Sequence, residues 1–226
     1  KVQTLREYIT AIRELFRNKE TVYRGRTIRL TWPAREVPIW LAAAGPKTLR
    51  LAGELADVVV MGSGFLPECI QESLAYVEEG ARAAGRSRED FEVWVYGPGN
   101  VADSREEALA PLLAGSAATG HLSFPPGFEQ KSVPPALLPS LRKMAEEYDT
   151  RHHQHRGGQN AELIEELGLT DYMGRRFTLS GTAEECIAQA CAAAGAGVQG
   201  FMLTIITPEP LKTIRDLGEK VVAEFQ

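Results

Sequence analysis

The segment whose residue types best suit ligand binding is Gly45-Pro46-Lys47, which follows a short apolar run. Pro46 suits the first position of a helix, so the backbone N–H groups of Lys47 and Thr48 would be free at the helix N-terminus. Free N–H groups there attract anions, and glycine lets a backbone approach its ligand closely. The step therefore predicts an anion site, most naturally for a phosphate. A helix start without any ligand is the plainer alternative.

Three histidines form a second candidate group, within the segment RHHQHR at positions 151–156. Strong zinc sites need converging ligands at defined spacing, and no cysteine or acidic partner stands nearby in a recognised motif. We therefore expect no metal site. His152 and His153 are instead candidate substrate-binding residues in a loop over the active site, where one histidine would donate a proton. A solvated loop is the alternative.

Composition and charge narrow the classes of function. The chain has 226 residues, a formal net charge of -5 and a sequence pI near 5.5. A mildly acidic chain lacks the basic footprint of a nucleic-acid-binding protein, and no apolar run approaches the ~20 residues of a membrane-spanning helix. Three cysteines without a close pair do not indicate a disulfide framework. We expect a cytoplasmic protein without nucleic-acid or membrane partners.

Short apolar runs that alternate with helical patterns must position these candidates. The runs predict four strands, at 37–44, 57–62, 91–96 and 201–206. The first is continuously apolar, as expected for a strand that is buried on both faces. Helices between the strands imply parallel pairing and right-handed crossovers, which indicates an α/β fold.

Local signals divide the rest of the chain. Ser/Thr-x-x-Glu patterns at Thr4, Ser104 and Thr182 predict helix starts, and Arg24-Gly25 predicts a hairpin turn. Residues 114–177 predict a long, irregular insertion with helical pieces near 135–148 and 161–167. A connection of that length is usually functional. We expect one domain over 1–226 that carries this insertion.

Two strand ends extend the candidate site beyond the glycine step. Met61 and Gly62 end the second predicted strand, and Tyr96 ends the third. The carboxyl ends of parallel strands share one edge, where the active sites of barrel enzymes form. We expect Met61 and Gly62 to contact a cofactor and Tyr96 to line a substrate cavity. Tight turns without a ligand would explain the same residues.

Two stretches of the sequence resemble the luciferase-like superfamily, which includes bacterial luciferase, alkanesulfonate monooxygenase and the F420-dependent methylenetetrahydromethanopterin reductases. The stretch VPIWLAAAGPKTLRLAGELADVVVMG at 37–62 is similar to the fifth strand, fifth helix and sixth strand of that barrel. The stretches FTLSGTAEEC at 177–186 and GAGVQGFML at 195–203 are similar to its entry into the last helix and strand. The resemblance covers essentially the whole chain.

The resemblance implies a (β/α)8 TIM-barrel-type fold, of which this chain supplies only about strands 5 to 8 and a long insertion before the last strand. It implies an oxidoreductase that uses F420 for hydride transfer to a small organic substrate. The alternative is an FMN-dependent monooxygenase, in which a reduced flavin activates oxygen. The cofactor tail would lie at Ala43, Ala44, Gly45, Pro46, Lys47 and Thr48. The family's catalytic groups lie mostly in the earlier strands, so we assign none here.

Two further hypotheses come from other classes of protein. A non-catalytic half-barrel would leave two unpaired strand edges and would act only as an oligomer. The expected partners are therefore a small-molecule substrate and, in this hypothesis, further copies of the chain in a homo-oligomer. A sugar-phosphate barrel enzyme usually binds phosphate after strands seven and eight. The glycine step follows the first strand of this chain instead, which disfavours that class.

Overall fold

Alternating strands and helices make up the computed structural model, which describes residues 1–33, 35–124, 127–128, 131–153 and 158–225. In chain order they are α1 (Val2–Asn18), β1 (Glu20–Tyr23), β2 (Arg26–Arg29), β3 (Trp40–Ala43), α2 (Pro46–Leu55), β4 (Val58–Met61), α3 (Pro67–Ala83), β5 (Glu92–Val101), α4 (Arg105–Leu109), α5 (Leu113–Ser123), α6 (Leu138–Glu147), α7 (Gln159–Glu166), α8 (Thr170–Phe177), β6 (Leu179–Gly181), α9 (Ala183–Gly195), β7 (Gly200–Thr204) and α10 (Pro210–Lys220).

Strands β3 to β7 form one five-stranded parallel sheet, which confirms the predicted α/β fold. Strand β4 lies between β3 and β5, and the long strand β5 also pairs with β7 and, near its end, with β6. Within the described residues β3 and β7 each pair with one strand, so the sheet is open. The four predicted strands are present. We missed β6 because three residues are too few to show a strand pattern.

Helices cover one face of this sheet and form the main core with it. Val59, Met61, Val93 and Val95 alternate along β4 and β5 with no exposed surface, and they pack with side chains of α2, α3 and α9. Burial of one such side chain stabilises the fold by roughly 1.5–3 kcal/mol. We call this the covered face.

We call the opposite face of the sheet the open face. Its exposure shows that the expected burial of the first strand on both faces is wrong. Trp40, Tyr96 and Met202 are 43%, 46% and 37% exposed there, so the first strand is not buried on both sides. Successive side chains of a strand point to opposite faces, but an apolar run does not show which faces are covered. Both faces of β3 are apolar, and the described helices pack on only one of them.

Residues 113–177, which we call the helical segment, are mostly helical rather than irregular where the structure describes them. Helices α6 and α7 match the predicted pieces, whereas α5 and α8 were missed. Helix α5 is rich in glycine, alanine and serine and is buried on nearly all sides, so it lacks the polar stripe that marks an amphipathic helix. The segment has a core of its own, which includes Phe124, Leu141, Met144 and Phe177. Its assignment as an insertion in a single domain stays a prediction.

The local signals were right in three places and wrong in one. Strands β1 and β2 form the predicted hairpin, with Arg24 (φ 50°) and Gly25 (φ 74°) left-handed in its turn. Ser104 and Thr182 cap α4 and α9. Thr4 caps nothing, because α1 already begins at Val2. No described helix is long and apolar enough to cross a membrane.

Candidate functional site

The step from β3 to α2 has the predicted shape, with Gly45 as N-cap and Pro46 in the first turn. The N–H groups of Thr48 and Leu49 donate to the Gly45 carbonyl at 3.0 and 2.9 Å. The Lys47 N–H has no acceptor among the described residues. The expectation of a free N–H is therefore wrong for Thr48, because the first turn closes tightly, as helix ends often do.

Ala44 lies between two cavities at the carboxyl edge of the sheet and lines both of them. The first, the sheet-face cavity, has a volume of about 470 Å³ and lies on the open face. Its lining is mainly apolar and includes Trp40, Ala44, Val60, Gly62, Tyr96 and Met202. The second, the helix-flanked cavity, has a volume of about 300 Å³ and a wall of polar side chains from α3 and the helical segment.

Aromatic side chains form a surface beside the sheet-face cavity. The rings of Trp40 and Trp94 meet edge to face, with centroids 4.8 Å apart. The Trp94 ring covers Gly200 so closely that a Cβ there would lie 2.4 Å from it, so only glycine fits. The Trp94 indole also donates to Glu92 Oε2 at 2.9 Å. Ligand cavities are typically apolar with a few polar groups, and this one follows that description.

The structure brings some of the predicted cofactor residues together and separates others. Ala43, Ala44 and Gly62 line the sheet-face cavity, as does Tyr96, and Pro46 lines the helix-flanked cavity.

The other four predicted cofactor residues do not line either cavity, and Gly45, the N-cap of α2, is one of them. Met61 has its side chain fully buried on the covered face, which leaves only its backbone for a ligand. Lys47 is exposed, and the Thr48 hydroxyl donates to the Gly45 carbonyl at 2.9 Å. Ligand contact at all these positions stays a prediction.

The predicted substrate histidines form hydrogen bonds within the helical segment and line neither cavity. His152 Nδ1 lies 3.2 Å from Asp149 Oδ2, and His153 Nδ1 lies 2.7 Å from the Tyr148 hydroxyl. Burial raises the pKa of Tyr148, so this hydroxyl stays protonated and can donate to His153. Substrate contact by either histidine stays a prediction, and His155 lies outside the described residues.

Among the residues that the structure describes, no group of three or more His, Cys, Asp or Glu side chains is placed to hold a metal ion. Asp149, His152 and His153 of the helical segment instead form local hydrogen bonds. Asp149, for example, accepts from the backbone and side chain of Arg151, and these bonds hold the pKa of its carboxyl well below the usual range.

Sequence reasoning missed the polar wall of the helix-flanked cavity. Arg176 and Lys131 reach it from the helical segment, Ser63 from the loop after β4 and Ser73 from α3. Arg175 and Arg176 are adjacent in an amphipathic helix, and only packing shows that Arg176 is the buried one. The helical period of Tyr172 and Arg176, four residues apart, was the one available signal.

Comparison with known proteins identifies the family. The model of the luciferase-like monooxygenase family matches residues 1–200. The 5,10-methylenetetrahydromethanopterin reductase of Archaeoglobus fulgidus is 25% identical over 238 aligned residues, which cover 100% of this chain and 67% of the relative. The F420-dependent glucose-6-phosphate dehydrogenase of Microbacterium testaceum is 35% identical over 97 residues, which cover 40% of this chain and 29% of the relative.

Solved structures show the same fold. The coenzyme F420 dependent tetrahydromethanopterin reductase of Methanopyrus kandleri has a TM-score of 0.71 at 20% identity, over 100% of this chain and 64% of that one. The long-chain alkane monooxygenase LadA has a TM-score of 0.57 at 18% identity, over 91% of this chain and 46% of that one. The chain thus spans about two thirds or less of the length of these proteins. By its sequence over residues 1–200, the chain belongs to the luciferase-like monooxygenase family.

Proposed function

We propose that this chain binds F420 as part of an oxidoreductase that transfers hydride between the cofactor and a small organic substrate. One observation carries the proposal: Ala44 joins an apolar cavity on the sheet to a polar cavity at a helix N-terminus. A cofactor with a flat ring and an anionic tail needs that combination. Relatives named for F420 dependence, such as the dehydrogenase of Microbacterium testaceum, favour F420 over other cofactors of this shape.

The residues of the sheet-face cavity fit the ring. Trp40, Tyr96 and Met202 offer apolar surface that would pack against it and exclude water. Small residues keep the middle of the cavity open, since a Cβ on Gly62 would lie only 3.7 Å from the Ala44 Cβ. When bound, the deazaflavin ring supplies the hydride chemistry, and the protein residues bind the ring, orient it and keep water away.

The start of α2 fits the anionic tail. A Cβ built on Gly45 meets nothing closer than the Thr48 hydroxyl at 3.9 Å, so a ligand can approach the backbone there. The Lys47 N–H is open, and the helix N-terminus carries about half a positive charge. Ala43 to Thr48 would therefore hold the tail through backbone contacts and helix polarity. The exposed Lys47 side chain adds a positive charge nearby.

Titration of the purified chain with F420, read by cofactor fluorescence, tests this function. The variant Gly45→Asp puts a negative charge at the tail position while keeping the fold, because Gly45 is extended and aspartate is a favoured N-cap. We expect F420 affinity to fall by about tenfold or more, as helix-terminus and charge terms of 1–2 kcal/mol imply. Gly218→Asp, which adds the same charge in α10 where a Cβ meets nothing, is the matched control.

The result would contradict the proposal if wild-type chain did not bind F420, or if both aspartate variants bound it equally well. A parallel titration with FMN separates the two cofactors. FMN binding without F420 binding would favour the FMN-dependent monooxygenase as the function instead.

The open sheet supports a second candidate, a half-barrel that acts only as an oligomer. We propose that β3, β4, β5 and β7 correspond to barrel strands 5 to 8, since they are parallel, follow this order and leave apolar residues on the open face. A homo-oligomer would cover that face and the free edges of β3 and β7. Light scattering over a concentration series tests this candidate. A dimer at all concentrations would support it, and a folded monomer would contradict it.

A further inference from the structure

Arg176 is a buried guanidinium that lacks an anionic partner among the described residues. Its side chain lines the helix-flanked cavity, and the residue is 2% exposed. Nη1 donates to the Tyr172 hydroxyl at 2.6 Å, whereas Nε is buried without any hydrogen-bond partner. Buried charges in proteins are normally paired and buried N–H groups are normally bonded, so this arrangement calls for a ligand.

The groups that contact Arg176 do not neutralise it. Three aromatic rings, of Phe124, Tyr172 and Phe177, lie 5.2 to 5.8 Å from the guanidinium carbon. Such stacking attracts a cation and fixes its plane, but it uses none of the N–H donors. Burial raises the pKa of the Cys69 thiol to about 11, and burial also raises the pKa of Tyr172. Both groups are therefore neutral near pH 7.

Other donors converge on the same cavity. Ser73 donates to Ser63 Oγ at 2.7 Å, which leaves the Ser63 hydroxyl hydrogen for a ligand. Lys131 brings a second positive charge and anchors its amine on the Ser123 carbonyl at 2.6 Å. Pro46, in the first turn of α2, places the positive end of that helix at the cavity wall. One carboxylate, of Glu72, also lines the cavity, and it accepts from the Ser132 hydroxyl.

We propose that the helix-flanked cavity is a binding site for a phosphate-class oxyanion, held by Arg176 together with Ser63, Lys131 and the N-terminus of α2. Guanidinium groups bind tetrahedral oxyanions through their planar fork of donors, which suits an arginine that the aromatic rings hold in place. A volume of about 300 Å³ has room for a phosphate and a small attached group.

The site lies where the loop after β4 meets the helical segment. The Phe65 N–H donates to the Arg176 carbonyl at 2.7 Å, and a Cβ on Gly64 would lie 2.5 Å from that carbonyl. Gly64 adopts φ 120°, which favours glycine, so the loop after β4 is shaped to receive Arg176. An oxyanion bound there would contact both this loop and the helical segment. The site does not depend on the proposed function, because it is measured without any cofactor.

Calorimetric titration of the 226-residue chain with inorganic phosphate tests the site. Arg176→Met keeps most of the apolar side chain but removes the donors, and we expect phosphate affinity to fall at least tenfold. Arg175→Gln is the matched control, since the neighbouring Arg175 pairs with Asp171 at 2.8 Å and does not line the cavity. We expect this variant to bind like wild type. Ser63→Ala, at a half-buried position, provides a second handle and should weaken binding about threefold.

Several outcomes would overturn the proposal: no phosphate binding by the wild-type chain, equal binding by Arg176→Met, or equal weakening in Arg175→Gln. If Arg176→Met does not fold, Ser63→Ala and Arg176→Lys take its place. The proposal is then overturned if both variants bind phosphate as tightly as the wild-type chain.

Competition with F420 then identifies the source of the oxyanion. Displacement of phosphate by F420 assigns the site to the cofactor tail, and simultaneous binding assigns it to a second, phosphate-bearing molecule. If F420 does not bind at all while phosphate binding still depends on Arg176, the proposed function fails and the oxyanion site stands.

Discussion

The two faces of the parallel sheet are built from similar apolar residues but differ in how far they are exposed. On the covered face, Val59, Val93 and Val95 lie under helices with no exposed surface. On the open face, Trp40, Tyr96 and Met202 keep more than a third of their surface exposed. Monomeric proteins rarely expose contiguous large apolar side chains without a functional reason, so we expect a ligand or a partner to bind the open face.

Core packing and cavity lining share a single strand of the sheet. Met61 and Gly62 are neighbours at the end of β4, yet Met61 belongs to the core and Gly62 lines the sheet-face cavity. Stability should therefore depend on one set of side chains and ligand affinity on the alternate set.

Truncating one methionine on each face should give the largest contrast. Met61→Ala removes a fully buried side chain, and we expect the free energy of unfolding to fall by about 2–5 kcal/mol. Met202→Ala removes a side chain that is already partly in water, so the loss should stay below about 1 kcal/mol. Urea unfolding of both variants measures this contrast, and equal losses would show that the open face is covered in solution.

Alkaline pH should lower the free energy of unfolding, because a buried thiol packs between the sheet and its helices. Burial raises the pKa of the Cys186 thiol from its ordinary value near 9 to about 12. The unfolded chain then loses this proton first, so the stabilisation is complete below pH 9 and is lost as the pH rises towards 12. We expect a decline on the order of 2 kcal/mol by about pH 11 in urea unfolding.

The variant Cys186→Ala should show a shallower decline over the same pH range. Cys191→Ala serves as the control, because Cys191 is exposed on the same helix. A wild-type decline no steeper than that of Cys186→Ala would mean that the thiol is not held in an apolar environment.

Removing an aromatic ring from the open face should change binding rather than stability. Tyr96→Ala deletes a wall of the sheet-face cavity, and we expect F420 affinity to fall about tenfold, which corresponds to roughly 1.4 kcal/mol. Its unfolding free energy should change little. Trp32→Ala removes a similarly exposed aromatic residue away from the cavity and should leave F420 affinity unchanged. Fluorescence titration checks both, and an equal effect would argue against the cavity.

The smallest expected change in the free energy of unfolding comes from removing the N-cap of α9. Thr182 and Glu185 form reciprocal hydrogen bonds of 3.3 and 3.0 Å at the start of α9. Thr182→Ala should lower the unfolding free energy by about 1 kcal/mol. Thr4 has the same sequence signature but lies inside α1, so Thr4→Ala should cost little. Thermal unfolding that shows no difference between the two would contradict the capping assignment.

Much of the fold could be predicted because its signals are local. Apolar runs between glycine or proline breaks located the four main strands, and Arg24-Gly25 located the hairpin turn. The covered and open faces could not be told apart, because the sequence of β3 is apolar on both. Helix α5 was not predicted because it is buried on nearly all sides and therefore lacks an amphipathic pattern. Strand β6 was not predicted because it has only three residues.

The candidate site could be predicted only where it rests on backbone conformation. The glycine and proline at 45–46 indicated a helix start, and the structure has one there. Arg176 could not be singled out, because Phe124 and Gly64, which pack against it, are distant in sequence, and the spacing from Tyr172 does not show that it is buried. The histidines drew attention by composition, yet they bond to Tyr148 and Asp149 inside the helical segment.

Hydroxyl-radical footprinting with mass spectrometry tests whether the open face binds the cofactor ring. Trp40, Tyr96 and Met202 should oxidise readily in the free chain and several-fold less after F420 is added. Trp32 and Leu122, which are exposed elsewhere, should oxidise equally in both states. Unchanged oxidation of the three open-face residues with F420 bound would contradict the account, as would strong protection of those residues before any cofactor is added.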